Sequence, residues 1–358
     1  MNRLPRKIPL SVQTSIAIME EIAIGRWDQW LPGEHELSSL LHVGRRTVRA
    51  ALEQLRRDGV VECRSGKRRK IIRRQPADIK PASSRAILLT PVPLHLMSPF
   101  SIFLIDRLRE QLGAEGYLLD IHAGRDTYRT RLPQQLKKLE ETLRPAAWIL
   151  TQSTAPMQHW FARCGLPCVL VGSSYPGVAL PSVDFDYAAV CRHAVGQFLA
   201  RGHRRIVLLN PRSRAAGDMK AEEGFLQAVK NTSTPNVEAT IDYHDGTVAN
   251  VRSRLDVLMR LKERPTALLV SRAHHVVTVL GHLLVNKFRV PADVAVISRD
   301  DDSYLESIVP LPARYSGNPE LFASALSRVV LEAIAGRKPA TEHRLMPKFF
   351  PGQTLGNL

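Results

Sequence analysis

A chain of 358 residues with 44% apolar residues is too long for one small core and suits two or three soluble domains. Fifty Lys/Arg against 34 Asp/Glu give a net charge of +16, which favours a polyanionic partner, nucleic acid first and anionic membrane second. No apolar run approaches bilayer-spanning length, the start MNRLPRKIPL lacks the apolar core of a signal peptide, and four cysteines make no disulfide framework. The expectation is a cytoplasmic protein without membrane contact. The charge is uneven: residues 1–74 carry sixteen Lys/Arg against eight Asp/Glu, so half of the excess sits in about a fifth of the chain.

Ser11 to Gly25 reads as a first helix, with Val12, Ile16, Met19, Ile22 and Ala23 on its apolar face. Trp27, Trp30 and Leu31-Pro32 lead into a second helix holding Glu36, Leu37, Leu40 and Leu41, and His42-Val43-Gly44 fits a short turn. In the third helix Val48, Ala51, Leu52 and Leu55 recur at i, i+3, i+4 and i+7, while Arg45, Arg46 and Arg49 crowd its first two turns. Arginines at the N-terminal end of an otherwise buried helix suit a major groove, where guanidinium groups bond guanine edges and the helix end attracts phosphate. After Asp58-Gly59, the runs Val60–Cys63 and Arg69–Ile72 flank Arg64-Ser65-Gly66-Lys67-Arg68, a cationic turn. Residues 1–74 thus outline a winged helix-turn-helix domain.

Residues 75–85 read as a linker of prolines, serines and charges. From residue 86 onward apolar runs alternate with amphipathic helices. Strands are predicted at Ala86–Thr90, Tyr117–Ile121, Ala147–Leu150, Cys168–Val171, Arg205–Leu209, Ala267–Val270 and Val294–Ser298, alternating with helices, and Val183–Asp186 leads into the helix that starts near Ala188. That order means an α/β architecture of parallel sheets wound with helices, and 86–358 is enough chain for two lobes. Cys164, Cys168 and Cys191 read as core or strand-flanking thiols, and adjacent His274 and His275 point to different sides of a helix, so no metal and no cofactor is expected.

The order LP-x-E-x-ELS-x-LL-x-V-x-R-x-TVR-x-AL-x-x-L-x-x-DG-V-V resembles the DNA-binding head of GntR-family regulators. Gly202-His203-Arg204-Arg205-Ile206, Gly224-Phe225, Pro265-Thr266-Ala267, Val290-Pro291-Ala292-Asp293-Val294 and Asp300-Asp301 resemble the effector-binding domain of LacI-family regulators, which is built like periplasmic sugar-binding proteins. The combination is known from arabinose-responsive repressors. The resemblance implies a non-enzymatic, ligand-responsive transcription regulator, a repressor, acting as a homodimer on a double-stranded DNA operator. It implies base reading by Arg45, Arg46 and Arg49, phosphate contact by Thr47, a DNA contact at His35, and a wing led by Gly66, Lys67 and Arg68 in the minor groove. His35 stands where the family often has Arg, and Gly44 where it often has Ser or Thr, so the operator is expected to differ from the family's usual one.

The effector pocket departs from the pattern as well. The family's sugar-binding Asp, in an Asn-Asp pair, is replaced by Arg272-Ala273, and its Arg three residues before the GF glycine is Ala221, beside Lys220. Arg272 and Lys220 point to an anionic ligand such as a sugar acid or sugar phosphate, next to the plain sugar the family implies. Arg212, in the loop after a strand, and Asp300 complete the expected ligand-binding set, while Asp184 and Asp186 read equally as helix caps. A degenerate pocket serving only as a dimerisation scaffold is the alternative. An enzyme on a doubly wound sheet is another, but no G-x-G-x-x-G, Walker loop or G-x-S-x-G motif is present.

Overall fold

The computed structural model describes residues 10–23, 26–27, 29–57, 60–62, 69–71, 84–124, 128, 132–213, 215–337 and 341–356. The chain divides into two compact units, Met1–Ala82 and Ser83–Leu358.

The first unit holds α1 (Leu10–Ala23), α2 (Glu34–Leu40) and α3 (Arg45–Arg57), then β1 (Val61–Glu62) and β2 (Lys70–Ile71), paired antiparallel with Val61 opposite Ile71. The i, i+3, i+4, i+7 face of α3 is fully buried: Val48, Ala51, Leu52 and Leu55 pack with Ile18, Ile22, Leu31, Leu37, Val61 and Ile71 in one core. The α2–α3 turn works because His42 takes φ 51°, in the left-handed region, and the Ser38 hydroxyl caps the Val43 carbonyl at 2.6 Å. The segment before α2 joins the wing as a third edge. Leu31 N–H donates to the Arg69 carbonyl and Ile71 N–H to that of Gln29, both at 2.9 Å.

The second unit is two six-stranded sheets, each sandwiched by helices. Lobe 1 contains β3 (Arg85–Thr90), α4 (Pro99–Ala114), β4 (Leu118–Ala123), α5 (Leu132–Leu143), β5 (Ala147–Thr151), α6 (Ala155–Cys164), β6 (Cys168–Val171) and β7 (Ser182–Phe185). The chain then crosses to lobe 2: α7 (Tyr187–Ala200), β8 (Arg205–Pro211), α8 (Ala216–Lys230), β9 (Glu238–His244), α9 (Val248–Met259), β10 (Ala267–Val270), α10 (Ala273–Val285), β11 (Ala295–Ser298) and β12 (Ala313–Ser316). It returns for α11 (Pro319–Ile334) and β13 (Glu342–Leu345) in lobe 1, and crosses once more for β14 (Lys348–Phe350) in lobe 2.

Sheet orders are β13-β7-β6-β5-β3-β4 and β14-β12-β11-β10-β8-β9. Within these two sheets every strand pair is parallel except β12 with β14. Strands buried on both faces explain the continuous apolar runs ILL, AWIL, VLL and ALLV. In lobe 1, α4 and α11 cover one sheet face and α6 helps cover the other; in lobe 2, α9 and α10 oppose α7 and α8. Gly224 allows α7 and α8 to touch, since a Cβ there would stand 2.2 Å from the Ala188 carbonyl oxygen. Six elements go beyond the sequence reading: β7, the edge strand β9, and β12, α11, β13 and β14 after residue 298. Among the described residues no helix is long and apolar enough to cross a membrane.

Candidate functional site

Two surfaces carry the expected chemistry. On the first unit, Arg45, Arg46 and Arg49 are exposed on the first two turns of α3, opposite its buried face, and His35 is exposed on α2. Thr47 is half-buried. The wing residues Gly66, Lys67 and Arg68 lie outside the described residues. Arg49 is not a free cation. Its Nε and Nη2 donate to Glu34 Oε2 at 3.2 and 3.0 Å, and Arg69 Nη2 donates to Glu34 Oε1 at 2.8 Å. These two arginines, Arg69 first, hold the Glu34 carboxyl below its ordinary range.

The second surface lies where strands of lobe 2 end. In wound parallel sheets, ligands sit outside the carboxyl ends of the strands, near the point where strand order reverses. That point in lobe 2 is between β8 and β10. Arg272 follows the end of β10, Arg299 and Asp300 follow β11, and Asp218 projects from the first turn of α8. They form one ion cluster. Arg272 Nη2 donates to Asp218 Oδ2 at 2.7 Å and Arg299 Nη1 to Asp218 Oδ1 at 2.9 Å. Arg299 Nε reaches Asp300 Oδ1 at 3.2 Å, and Arg272 Nη1 reaches Asp300 Oδ2 at 3.4 Å.

The Arg299 guanidinium also stacks over the Tyr187 ring, 4.2 Å from its centroid. The side chains of Arg299 and Asp218 are each 1% exposed. Burial works against the Arg299 charge, but Asp300 and Asp218 outweigh it and hold the pKa well above its ordinary value. The Asn210 side chain braces the cluster's floor by accepting from Ser271 Oγ at 2.5 Å and donating to Glu222 at 2.9 Å.

The edge of lobe 1 formed by β6, β7 and β13 faces α8. Lys220 Nζ donates to Glu342 Oε1 at 2.8 Å, a link from lobe 2 to lobe 1. Ser174 Oγ donates to the same oxygen at 3.1 Å, and Arg344 pairs with Oε2. Burial alone would raise the Glu342 carboxyl; Lys220 and Arg344 outweigh it and bring it down to about 2. Burial pushes the Asp184 carboxyl up to about 6, although it accepts from Ser173 Oγ at 2.6 Å and Phe185 N–H at 2.8 Å. Asp186 caps α7 by accepting from Ala189 N–H, so of the two expected caps one caps the helix and the other sits in the cleft. Ser173, Asp184, Tyr187, Lys220, Glu342 and Arg344 help line a cavity of ≈ 10 Å³, room for roughly one water molecule.

Of the expected ligand residues, Arg272 and Asp300 come together, Lys220 stands at the lobe boundary, and Arg212 is exposed on the loop after β8, near Asp245. Ala221, where the family pattern has Arg, is buried in the α7–α8 core. The sequence reading missed Arg299, Asp218, Glu342 and Arg344. Arg299 adjoins the recognised Asp300-Asp301 pair. Asp218, in the first turn of α8, belongs to none of the motifs quoted above. No group of three or more His, Cys, Asp or Glu among the described residues could hold a metal ion. His244, His274 and His275 do cluster, with ring centroids 4.4 and 4.0 Å apart, and burial and its neighbours push His275 down to about 4.

Comparison with known proteins agrees with both halves. Residues 17–71 match the family of bacterial regulatory proteins, gntR family, and residues 175–355 match the periplasmic binding protein-like domain. The arabinose metabolism transcriptional repressor of Geobacillus stearothermophilus is 23% identical over 323 residues, 84% of each chain. The regulator CelR of Thermobifida fusca is 24% identical over 184 residues, 51% of this chain and 54% of that one. Among solved structures, the complex of the regulator CelR with cellobiose superposes with a TM-score of 0.66 at 19% identity, covering 90% of this chain and all of that one. A LacI-family regulator from Bifidobacterium animalis subsp. lactis gives 0.67 at 16% identity, covering 77% and 99%. The chain belongs to the periplasmic binding protein-like family and carries a gntR-type regulatory head in front of that domain.

Proposed function

We propose that this chain is a ligand-responsive DNA-binding transcription regulator, a repressor without enzymatic activity, working in the cytoplasm. One observation carries the reading: a buried-faced helix, α3, presents Arg45, Arg46 and Arg49 to solvent in front of a two-lobed sensor domain. Arg45, Arg46 and Arg49 read base edges in the major groove, Thr47 meets phosphate, and His35 and the wing residues Gly66, Lys67 and Arg68 flank the contact. The protein works as a homodimer on a pseudo-palindromic operator. Support comes from α10, where Val277, Leu284 (76% exposed) and Val285 (79% exposed) leave an apolar strip on the surface.

The effector is a small sugar, sugar acid or sugar phosphate held between the lobes by Arg272, Asp300 and Lys220, with Arg212 on the rim. The names of the relatives, an arabinose repressor and a cellobiose-bound regulator, support a saccharide. The charge balance supports it too. Arg272 and Arg299 face Asp218 and Asp300, so the cluster offers donors and acceptors without a large surplus of cation. Beside Lys220 and Glu342 the lobes enclose only a cavity of ≈ 10 Å³, so a sugar reaching from Lys220 towards Arg272 and Asp300 would need the lobes to part, and that movement relays the signal.

Selection of duplexes by the full chain from a random pool tests the regulator reading; recovery of no preferred sequence refutes it. A thermal-shift screen of neutral sugars, sugar acids and sugar phosphates tests the effector. The buried Ala221, where the family pattern has a ligand-binding Arg, favours one second reading, a pocket turned into scaffold. It predicts no shift with any member of the screen.

A further inference from the structure

The three-way contact of Glu34, Arg49 and Arg69 has no counterpart in the contacts assigned above. Glu34 opens α2, and its side chain is only 18% exposed. Its two oxygens are divided between two elements: Oε2 takes Arg49 of the recognition helix and Oε1 takes Arg69 at the base of the wing. The wing base is tied to the same segment a second time by its backbone, through Leu31 N–H to the Arg69 carbonyl. Arg49 is 67% exposed, so its guanidinium lies at the surface while one edge rests on a carboxylate. That edge is the side formed by Nε and Nη2. The opposite fork, Nη1 with the second N–H of Nη2, has no partner among the described residues.

Such an arrangement changes what an arginine does on DNA. A free arginine samples many rotamers and serves any phosphate as a mobile charge. A guanidinium fixed on one side by a carboxylate presents a fork in one orientation, which suits the paired acceptors of a guanine edge. The carboxylate also offsets part of the cation, which lowers its attraction to phosphates in general. Both effects move the residue from affinity towards discrimination.

We infer that Glu34 is a positioning residue for DNA recognition, locking Arg49 into a base-reading orientation and coupling the recognition helix to the wing through Arg69. The inference rests on the DNA-binding reading above. Arg49 therefore acts as part of a Glu34–Arg49–Arg69 unit and not as an independent contact.

The test uses the full chain, a duplex recovered by its own selection, and the same duplex with its sequence permuted. Glu34→Gln keeps the shape and removes the charge. The expected result is a fall of tenfold or more in the ratio of selected to permuted binding. Binding to the permuted duplex is unchanged or tighter and its salt dependence steeper, because one negative charge is gone. The loss concentrates at the base pair that Arg49→Ala also relaxes, and Glu34→Gln adds no further loss in an Arg49→Ala background. Glu34→Asp keeps the charge, and with it the fold of the head, but withdraws the carboxylate by one bond; it is expected to lose discrimination as well. Full discrimination in Glu34→Asp, an equal loss on both duplexes, or an additive loss in the double variant overturns the inference while leaving the regulator reading in place. Failure of the unmodified chain to select any duplex overturns both.

Discussion

Asp218→Asn probes the buried ion cluster of lobe 2 most directly. Asp218 is 1% exposed and receives two guanidinium groups, Arg272 at 2.7 Å and Arg299 at 2.9 Å. In the intact cluster two arginines face two aspartates. Removing one carboxylate leaves both arginines sharing Asp300, with Arg299 fully buried and a net positive charge inside the lobe. Breaking a buried pair from one side costs about 3–5 kcal/mol, because the remaining charge keeps its desolvation penalty. For a unit of this size that corresponds to a loss on the order of 10 °C in Tm.

The same reasoning predicts a rescue. Arg272 is the more exposed arginine, at 29%. Arg272→Gln in the Asp218→Asn background restores a one-to-one balance between Arg299 and Asp300. The double variant should be more stable than the sum of the two single changes by roughly 1–3 kcal/mol. Urea denaturation followed by circular dichroism measures both effects on the second unit. A loss below about 1 kcal/mol in Asp218→Asn, or strict additivity in the double variant, refutes the idea that the charge balance holds this wall of the cleft together.

Four further outcomes are expected. Leu52→Ala opens a cavity in the small core of the first unit and costs about 2–5 kcal/mol; calorimetry should show the head melting earlier while the second unit's transition stays put, and DNA binding should fall with the head. Asp184→Asn should change the pH dependence of stability. The folded value of about 6 lies above the ordinary carboxyl value of 3.8, so Asp184 favours folding fully below pH 3.8 and loses that contribution as pH rises through 6, by up to ~3 kcal/mol; the stability of Asp184→Asn should therefore vary less between pH 4 and 7. Gly224→Ala drives a methyl into the Ala188 backbone and should cost roughly 1–3 kcal/mol or more in a thermal melt. Arg46→Ala should weaken binding to the selected duplex by about 1–3 kcal/mol and relax one base position, measured by competition with single-base variants.

Much of this fold was legible in the residues. The α3 face and the wing strands follow from local pattern alone, because a period of 3.6 and a Gly-centred turn are short-range signals. The central strands were legible because burial on both faces demands unbroken apolar runs. β9, with sequence EATIDYH, escaped notice as an edge strand of mixed polarity. EHRL and KFF are short strands at sheet edges and ARYS interrupts its apolar run with a buried Arg314, so none shows an unbroken apolar signal, and β13 finds its partner β7 about 160 residues earlier in the chain. α11 carried its own signals, an Asn318 cap, Pro319 and an apolar face of Phe322, Leu326 and Val329. What those signals lack is any hint that the helix returns to lobe 1.

The candidate site divides the same way. Arg272 and Asp300 could be named from motif position, but their partner Asp218 lies 54 residues away from Arg272, and such pairings appear only once strand ends converge. Glu34 was visible as part of the LP-x-E pattern. Its bond to Arg69, 35 residues on, was not.

The order in which this chain leaves the ribosome gives the crossing of α11 and β13 a further meaning. Lobe 1 opens at residue 85 but needs α11, ending at Ile334, to cover one face of its sheet and β13 to complete its edge. Its core therefore cannot close until almost the whole polypeptide has been made. The core of the DNA-binding head runs from Ile18 to Ile71, so it can assemble hundreds of residues earlier. A chain interrupted after the head but before α11 would carry a finished DNA-binding head on an unfinished sensor, able to occupy DNA and unable to respond to a ligand.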